Sequence, residues 1–323
     1  MSTTPTLEQH LEMYRRMIVT RRLEERIGEL HKAGKTRGPI HRCDGQEAVG
    51  VGATAALRED DHVTSTHRGH AHYIGKGLDP HRVMAEIMGR STGYCGGRAG
   101  HMLIADATQG MLGGNAIVGA SIPAATGMAL SFQVLKSSRI ALCFFGDGAA
   151  QTGICHESMN IAALWKLPVV FMLEHNEYGL TVHHTAQSPV ADLSTRAAGY
   201  GMPSEIVDGN NAVAVYEAVA RAAERARRGE GPSLIEAKTY RVEGFSTSDM
   251  GGYQDPHVIA QWKERDPILV SHALLKDDAG EARLQHIKDD AIQEVDRAIE
   301  QALADPLPEF ELFAPSAAYS EVK

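Results

Sequence analysis

Residues 146–179, GDGAAQTGICHESMNIAALWKLPVVFMLEHNEYG, constrain the fold more than any other stretch. The run ahead of them, RIALCFF at 139–145, is short and apolar and exits through Gly146-Asp147-Gly148, as a buried parallel strand ending in a tight turn does. A helix-like segment follows over about 152–165, then a second apolar run, 168–173, that ends at Glu174-His175-Asn176. The pattern is strand, helix, strand. A right-handed crossover between parallel strands brings both carboxyl ends to one edge of the sheet, so Asp147 and Asn176 are set to converge. One carboxylate, one amide oxygen and nearby carbonyls suit a hard divalent ion that still needs ligands. Mg2+ fits, because it takes few protein oxygens and fills its octahedron with phosphate oxygens and water. Taken alone, a Gly-flanked Asp after a strand is more often just a turn.

With the two strand ends paired, the chain resembles the thiamin diphosphate enzymes, whose signature is GDG, an interval of this size, then Asn. Within them it is similar to the α subunits of the decarboxylating first component of 2-oxo acid dehydrogenase complexes, of pyruvate, branched-chain and acetoin types. The strings that carry the likeness are GDGAA at 146–150, MNIAALWKLP at 159–168, EHNEYG at 174–179, HRCDGQEA at 41–48 and THRGH at 66–70. It extends over about residues 10–305. The resemblance implies Asp147, Asn176 and the Tyr178 carbonyl as Mg2+ ligands, with Gly146, Gly148 and Ala149 beside the cofactor. It implies His67 and Arg68 on the diphosphate, His67 standing where pyruvate-type enzymes have Tyr; the THRGH form is closer to the acetoin-type branch. His41 and His70 match two active-site histidines, able to donate to a developing oxyanion or move a proton near neutrality. NAIVG at 115–119 matches the segment whose backbone holds the aminopyrimidine, through Ala116 and Val118, with Ala116 where the family usually has Gly.

Two departures stand out. The family usually has two Asn in succession where this chain has His175-Asn176. The family's YRxHGHSxSD reads YRVEGFSTSD at 240–249, so Glu243 and Phe245 replace both histidines. That change bears on substrate and on the transfer step.

Composition narrows the class. A chain of 323 residues, 43% apolar, is ample for a large α/β core. A net charge of −9 without basic runs argues against nucleic acid or an anionic membrane as partner. Cys43, Cys95, Cys143 and Cys155 show neither metal nor disulfide spacing and read as reduced thiols. The start, MSTTPTLEQH, lacks the marks of a secretion signal or transit peptide, and the expected compartment is the cytoplasm. Residues 110–135 are uncharged and long enough to span a bilayer, but their Gly and polar content reads instead as a buried helix from about Gly119, open to close approach by another helix.

Along the chain, 7–33 reads as an amphipathic docking helix stopped by Gly34, and a small-residue helix starts near Gln46. A strand over 63–66 and a Gly-rich irregular segment over 90–118 follow. Beyond the central unit come a helical 193–200, a short strand near 203–208, a helix over 212–228, a strand within 233–241, a polar loop, and helices over 255–265 and about 280–304 before a Pro-rich tail. Alternating strands and helices predict one doubly wound, mostly parallel α/β domain of the thiamin diphosphate-binding fold over 1–323, with helical extensions at 1–34 and 255–323. His183 and His184 read as solvent-facing.

In the resembling family the glutamate that activates the pyrimidine ring lies on a separate module, for which this chain has no room. The resemblance therefore implies a β subunit, an α2β2 assembly and a lipoyl or carrier-protein domain as acyl acceptor. The function read is an α subunit of a 2-oxo acid or acetoin dehydrogenase. The alternatives are an acyl or ketol transferase that loads a carrier or forms a carbon–carbon bond, and an inactive structural or regulatory subunit.

Overall fold

The computed structural model describes residues 3–36 and 38–309, so the expected tail past 309 lies outside the described residues. Seven strands are present among them: β1 (His62–Thr64), β2 (Ala141–Gly146), β3 (Val169–His175), β4 (Tyr178–Gly179), β5 (Val182–His183), β6 (Ser204–Asp208) and β7 (Ser233–Lys238). Five form a parallel sheet in the order β1-β2-β3-β7-β6, and β4 with β5 makes a small antiparallel hairpin. Side chains on β2 and β3 alternate between two cores, as period-two geometry requires. Leu142, Phe144, Val170 and Met172 enter one, and Cys143, Phe145, Phe171 and Leu173 the other.

Helices cover both faces. On the first lie α1 (Leu7–Lys32), α2 (Glu47–Ala55), α3 (His70–Lys76) and α4 (Pro80–Ile87); on the second, α5 (Ser121–Val134) and α6 (Gly153–Leu164). α7 (Ala212–Arg227), α9 (Pro267–Ala279) and α10 (Glu281–Ala304) add to the first face, while α8 (Pro256–Glu264) buries no residue. The sheet is doubly wound, as its sequence pattern predicts.

Two expectations need correction, neither of them the helix over 7–33, which is present as α1: a Thr6–Gln9 capping box starts it, and Leu11, Met17, Leu23 and Ile27 sit in the core. Its charges are taken up inside the chain, Arg21 on Glu47 at 2.5 Å and Arg22 on Asp296 at 2.8 Å. The carboxy-terminal helices are likewise core, with Leu284, Val295 and Ile299 buried beside α1 residues, and α9 went unseen between the two helices expected there. Finally, α5 is buried on one face only. Ile122, Ala125, Ala129 and Phe132 pack inward, whereas Val134 keeps 70% of its surface and Gly127 faces open space. Among the described residues no helix is long and apolar enough to cross a membrane.

Candidate active site

Beyond the carboxyl ends of β1, β2 and β3 opens a cavity of about 320 Å3. Each wall follows from the topology: Thr66 to Arg68 leave β1, Gly146 to Ala149 leave β2, and Glu174 and Asn176 leave β3. Gly146 pairs in register with Glu174, so Asp147 and Asn176 stand just past the last paired residues of adjacent strands. Asp147 is buried; its Oδ1 accepts the Gly148 amide at 2.9 Å, while Oδ2 is buried without a partner. Burial pushes its carboxyl up, against the pull of His175, the Gly148 amide and Arg241. Asn176 Nδ2 donates to Gln46 Oε1 at 3.0 Å, which fixes the amide and leaves Oδ1 with only the Tyr178 amide at 3.3 Å. The Tyr178 carbonyl accepts one hydrogen bond, from Arg241 Nη1 at 3.3 Å. A buried oxygen with no donor and an amide oxygen turned to the same cavity fit a bound divalent cation.

Facing them are two guanidinium groups. Arg68 donates to the carbonyls of Arg42 and Phe245, and Arg241 to those of Tyr178 and Leu180 and to the Tyr253 hydroxyl. Arg68 is 7% exposed and Arg241 2%, and among the described residues neither lies within ion-pair distance of a carboxylate. Two buried cations with no carboxylate in ion-pair contact among the described residues make a site for a multivalent anion. Burial and the nearby Arg241 charge lower Arg68 to about 10. The same burial, with Arg68 next, lowers His67 to about 3 and His41 to about 4, so both imidazoles are neutral at pH 7.

Behind the cavity a polar layer holds the strand ends. His175, at the departure from the usual Asn pair, bonds Glu236 at 2.5 Å, and Lys238 closes on both Glu236 and Asp192. Burial raises the Glu236 carboxyl, but His175 and Lys238 outweigh it and hold the group at about 2. His175 is thus absorbed into a structural network. His184 is half-buried and packs edge-on against His175 at 4.5 Å, so it faces solvent only in part.

The sequence profile of the dehydrogenase E1 component family matches residues 15–311. The chain belongs to that family. It is 41% identical over 304 residues to the alpha subunit of acetoin:2,6-dichlorophenolindophenol oxidoreductase of Bacillus subtilis, covering 94% of this chain and 91% of the relative. Pyruvate dehydrogenase E1 component alpha subunits are also similar: 37% over 312 residues in Porphyra purpurea, covering 94% and 91%, and 38% over 304 residues in Zymomonas mobilis, covering 93% and 86%. Membership makes this an oxidoreductase component and implies thiamin diphosphate.

Against the site residues that resemblance suggests, this E1 chain lines its cavity with His41, His67, Arg68, Val118, Gly146, Asp147, Gly148, Ala149, Asn176 and Tyr178. Two do not reach it. Ala116 is exposed beside the lining residues Asn115 and Ile117, and His70 is fully buried behind the wall, its Nδ1 on Glu24 at 2.7 Å. Phe245 lines the cavity, whereas Glu243 turns aside toward Arg42, 3.9 Å away. Sequence reasoning missed Arg241, Gln46 and His101. An Arg three residues past a core strand was a usable signal for the first; for the other two the contacts are too distant in sequence to be read.

Proposed function

We propose that this E1 chain is the α subunit of a thiamin diphosphate-dependent dehydrogenase acting on acetoin or a pyruvate-like 2-oxo acid, and that it holds the Mg2+–diphosphate half of the cofactor as a single module. The observation that carries this is one cavity with a partnerless buried carboxylate oxygen on one side and, on the other, two guanidinium groups that no carboxylate contacts among the described residues. Asp147 and Asn176 would ligate Mg2+, with the second lone pair of the Tyr178 carbonyl; Arg68 and Arg241 would take the diphosphate oxygens. The neutral His67 would pack against the cofactor and not pair with it. Bound thiamin diphosphate supplies the electron sink that lets a carbon–carbon bond beside a carbonyl break. His41 is the cavity imidazole available to move the substrate proton.

A β subunit completes the site. Support comes from the apolar residues left open at the cavity mouth and along α6: Ile117, Val118, Ile154, Ile161 and Leu164. The dehydrogenase and oxidoreductase names of the relatives do not favour the transferase or inactive-subunit alternatives. The acyl acceptor proposed is a lipoyl domain, and the compartment the cytoplasm.

The test is reduction of 2,6-dichlorophenolindophenol by the chain assembled with its β subunit, with acetoin and pyruvate compared. Turnover requiring both thiamin diphosphate and Mg2+ is expected. Turnover of either substrate without the cofactor, or none of either with it, overturns the reading.

A further inference from the structure

His101 sits in the irregular segment after α4, yet its position is firmly set. Buried Glu86 on α4 accepts the amides of Cys95, Gly97, Ala99 and Gly100 at 2.6–3.2 Å, which gathers the loop just ahead of it. The Tyr73 hydroxyl donates to the His101 carbonyl at 3.4 Å. The His70 ring, pinned by Glu24, stands 5.7 Å from the His101 ring. The residue so held faces His41: the His41 backbone amide donates to His101 Nε2 at 3.2 Å, and His41 Nδ1 lies 3.1 Å from the same nitrogen.

These two contacts fix a proton. A ring nitrogen that accepts an amide hydrogen carries none of its own, so His101 Nε2 is a lone pair. His41 Nδ1 lies 3.1 Å from that nitrogen, where a second bare lone pair would be repelled, so it carries its hydrogen and shares the His101 acceptor with the His41 amide. In a neutral imidazole the other nitrogen is the acceptor, which leaves His41 Nε2 as a free base on a ring that lines the cavity. Burial, then the adjoining His70 and His41 rings, disfavours a second proton on His101 and lowers it to about 2, in keeping with its acceptor role.

We propose that His101 is a positioning residue that holds His41 as its Nδ1–H tautomer, so that His41 enters the reaction as a proton acceptor through Nε2. The proposal rests on the reading that His41 meets the substrate. For a hydroxyketone, the O–H bond breaks as the His41 Nε2–H bond forms, and the resulting imidazolium keeps its Nδ1–H on His101. The oxygen's electron pair closes the carbonyl of the departing aldehyde as the adjacent carbon–carbon bond breaks, the pair from that bond would pass into the electron sink that bound thiamin diphosphate supplies, and His41 then gives its proton to water. Like any orienting group, His101 acts without touching substrate.

Nuclear magnetic resonance of the isotope-labelled histidine nitrogens of the chain tests this directly, with the His41 signals identified by their loss in His41→Ala. Near neutral pH the wild type is expected to show His41 protonated at Nδ1. His101→Leu, which removes the acceptor, should move His41 toward the Nε2–H form, and His101→Gln, which restores an acceptor oxygen, should move it back. A wild-type His41 protonated at Nε2 overturns the proposal by itself, even if a variant fails to fold; so does an unchanged His41 spectrum in His101→Leu. In the assembled enzyme, His101→Leu should lower kcat about tenfold or more with cofactor affinity unchanged, and cost nothing further in a His41→Ala background. If His41→Ala alone leaves kcat intact, the substrate role of His41 fails while the spectrum still decides the tautomer.

Discussion

Asp147 is a carboxylate that the fold keeps at a cost, since its Oδ2 is buried with no donor. Asp147→Ala should therefore abolish Mg2+-dependent binding of thiamin diphosphate while leaving thermal stability equal or higher. Calorimetric titration and a melting curve on the same preparation check both halves; wild-type affinity in the variant would remove the metal assignment. Asp44 makes a second prediction. Burial, then the charges of Glu24 and Glu47, push it up to about 7 in spite of Arg42, 2.5 Å away. A carboxyl whose folded pKa is raised binds more protons folded than unfolded, so its stabilising effect is present at low pH and is lost as pH climbs from the ordinary value of about 4 toward about 7. Asp44→Asn should flatten that decline, read as a smaller difference in urea midpoint between about pH 5 and about pH 7.5 than in wild type. Phe245 has a simpler consequence: a ring in the cavity wall offers no donor to an acyl oxygen.

At the scale of elements, α2 shows what small residues are for. A Cβ on Gly50 would lie 2.7 Å from the Ala71 Cβ, and one on Gly52 would lie 2.5 Å from the Ala212 carbonyl, so α3 and α7 both approach as closely as backbone allows. Gly52→Ala gains about 1 kcal/mol of helix propensity. It forces apart a helix pair at a cost of about 1–3 kcal/mol, so net destabilisation is expected in chemical denaturation, and a stabilised variant would contradict the packing. The sheet was legible because strand alternation and crossover handedness are local rules: they sufficed to bring Asp147 and Asn176 together. What escaped depends on long-range approach. His101 meets His41 only because Glu86 gathers a loop, and no periodicity records that. The uncharged, small-residue pattern of α5 reads the same whether its partner is this chain or another, which is why a buried helix was expected where one face is open. α9 starts at Asp266-Pro267, within two residues of the end of α8, and has no counterpart between the helices expected over 255–265 and about 280–304.

The described residues present an apolar strip near the cavity. Leu164, 72% exposed at the far end of α6, shares that helix with the exposed Ile161 and Ile154, and Ile154 lies beside the cavity residue Gly119. If the β subunit sits on this strip, Leu164→Asp should weaken subunit association at least about tenfold without shifting the melting temperature of the chain alone, as light scattering of mixed subunits would show. Unchanged association would move the interface elsewhere. The two carboxylate-free guanidinium groups have a further consequence, for kinetics. They sit inside a chain of net charge −9, so an incoming diphosphate meets repulsion at long range and attraction only over the last few ångströms. Added salt screens the first and weakens the second. Stopped-flow mixing with a fluorescent diphosphate analogue should then show capture and escape both quickening as ionic strength rises, a pattern opposite in its association limb to that of a binder whose distant field and local contacts share one sign.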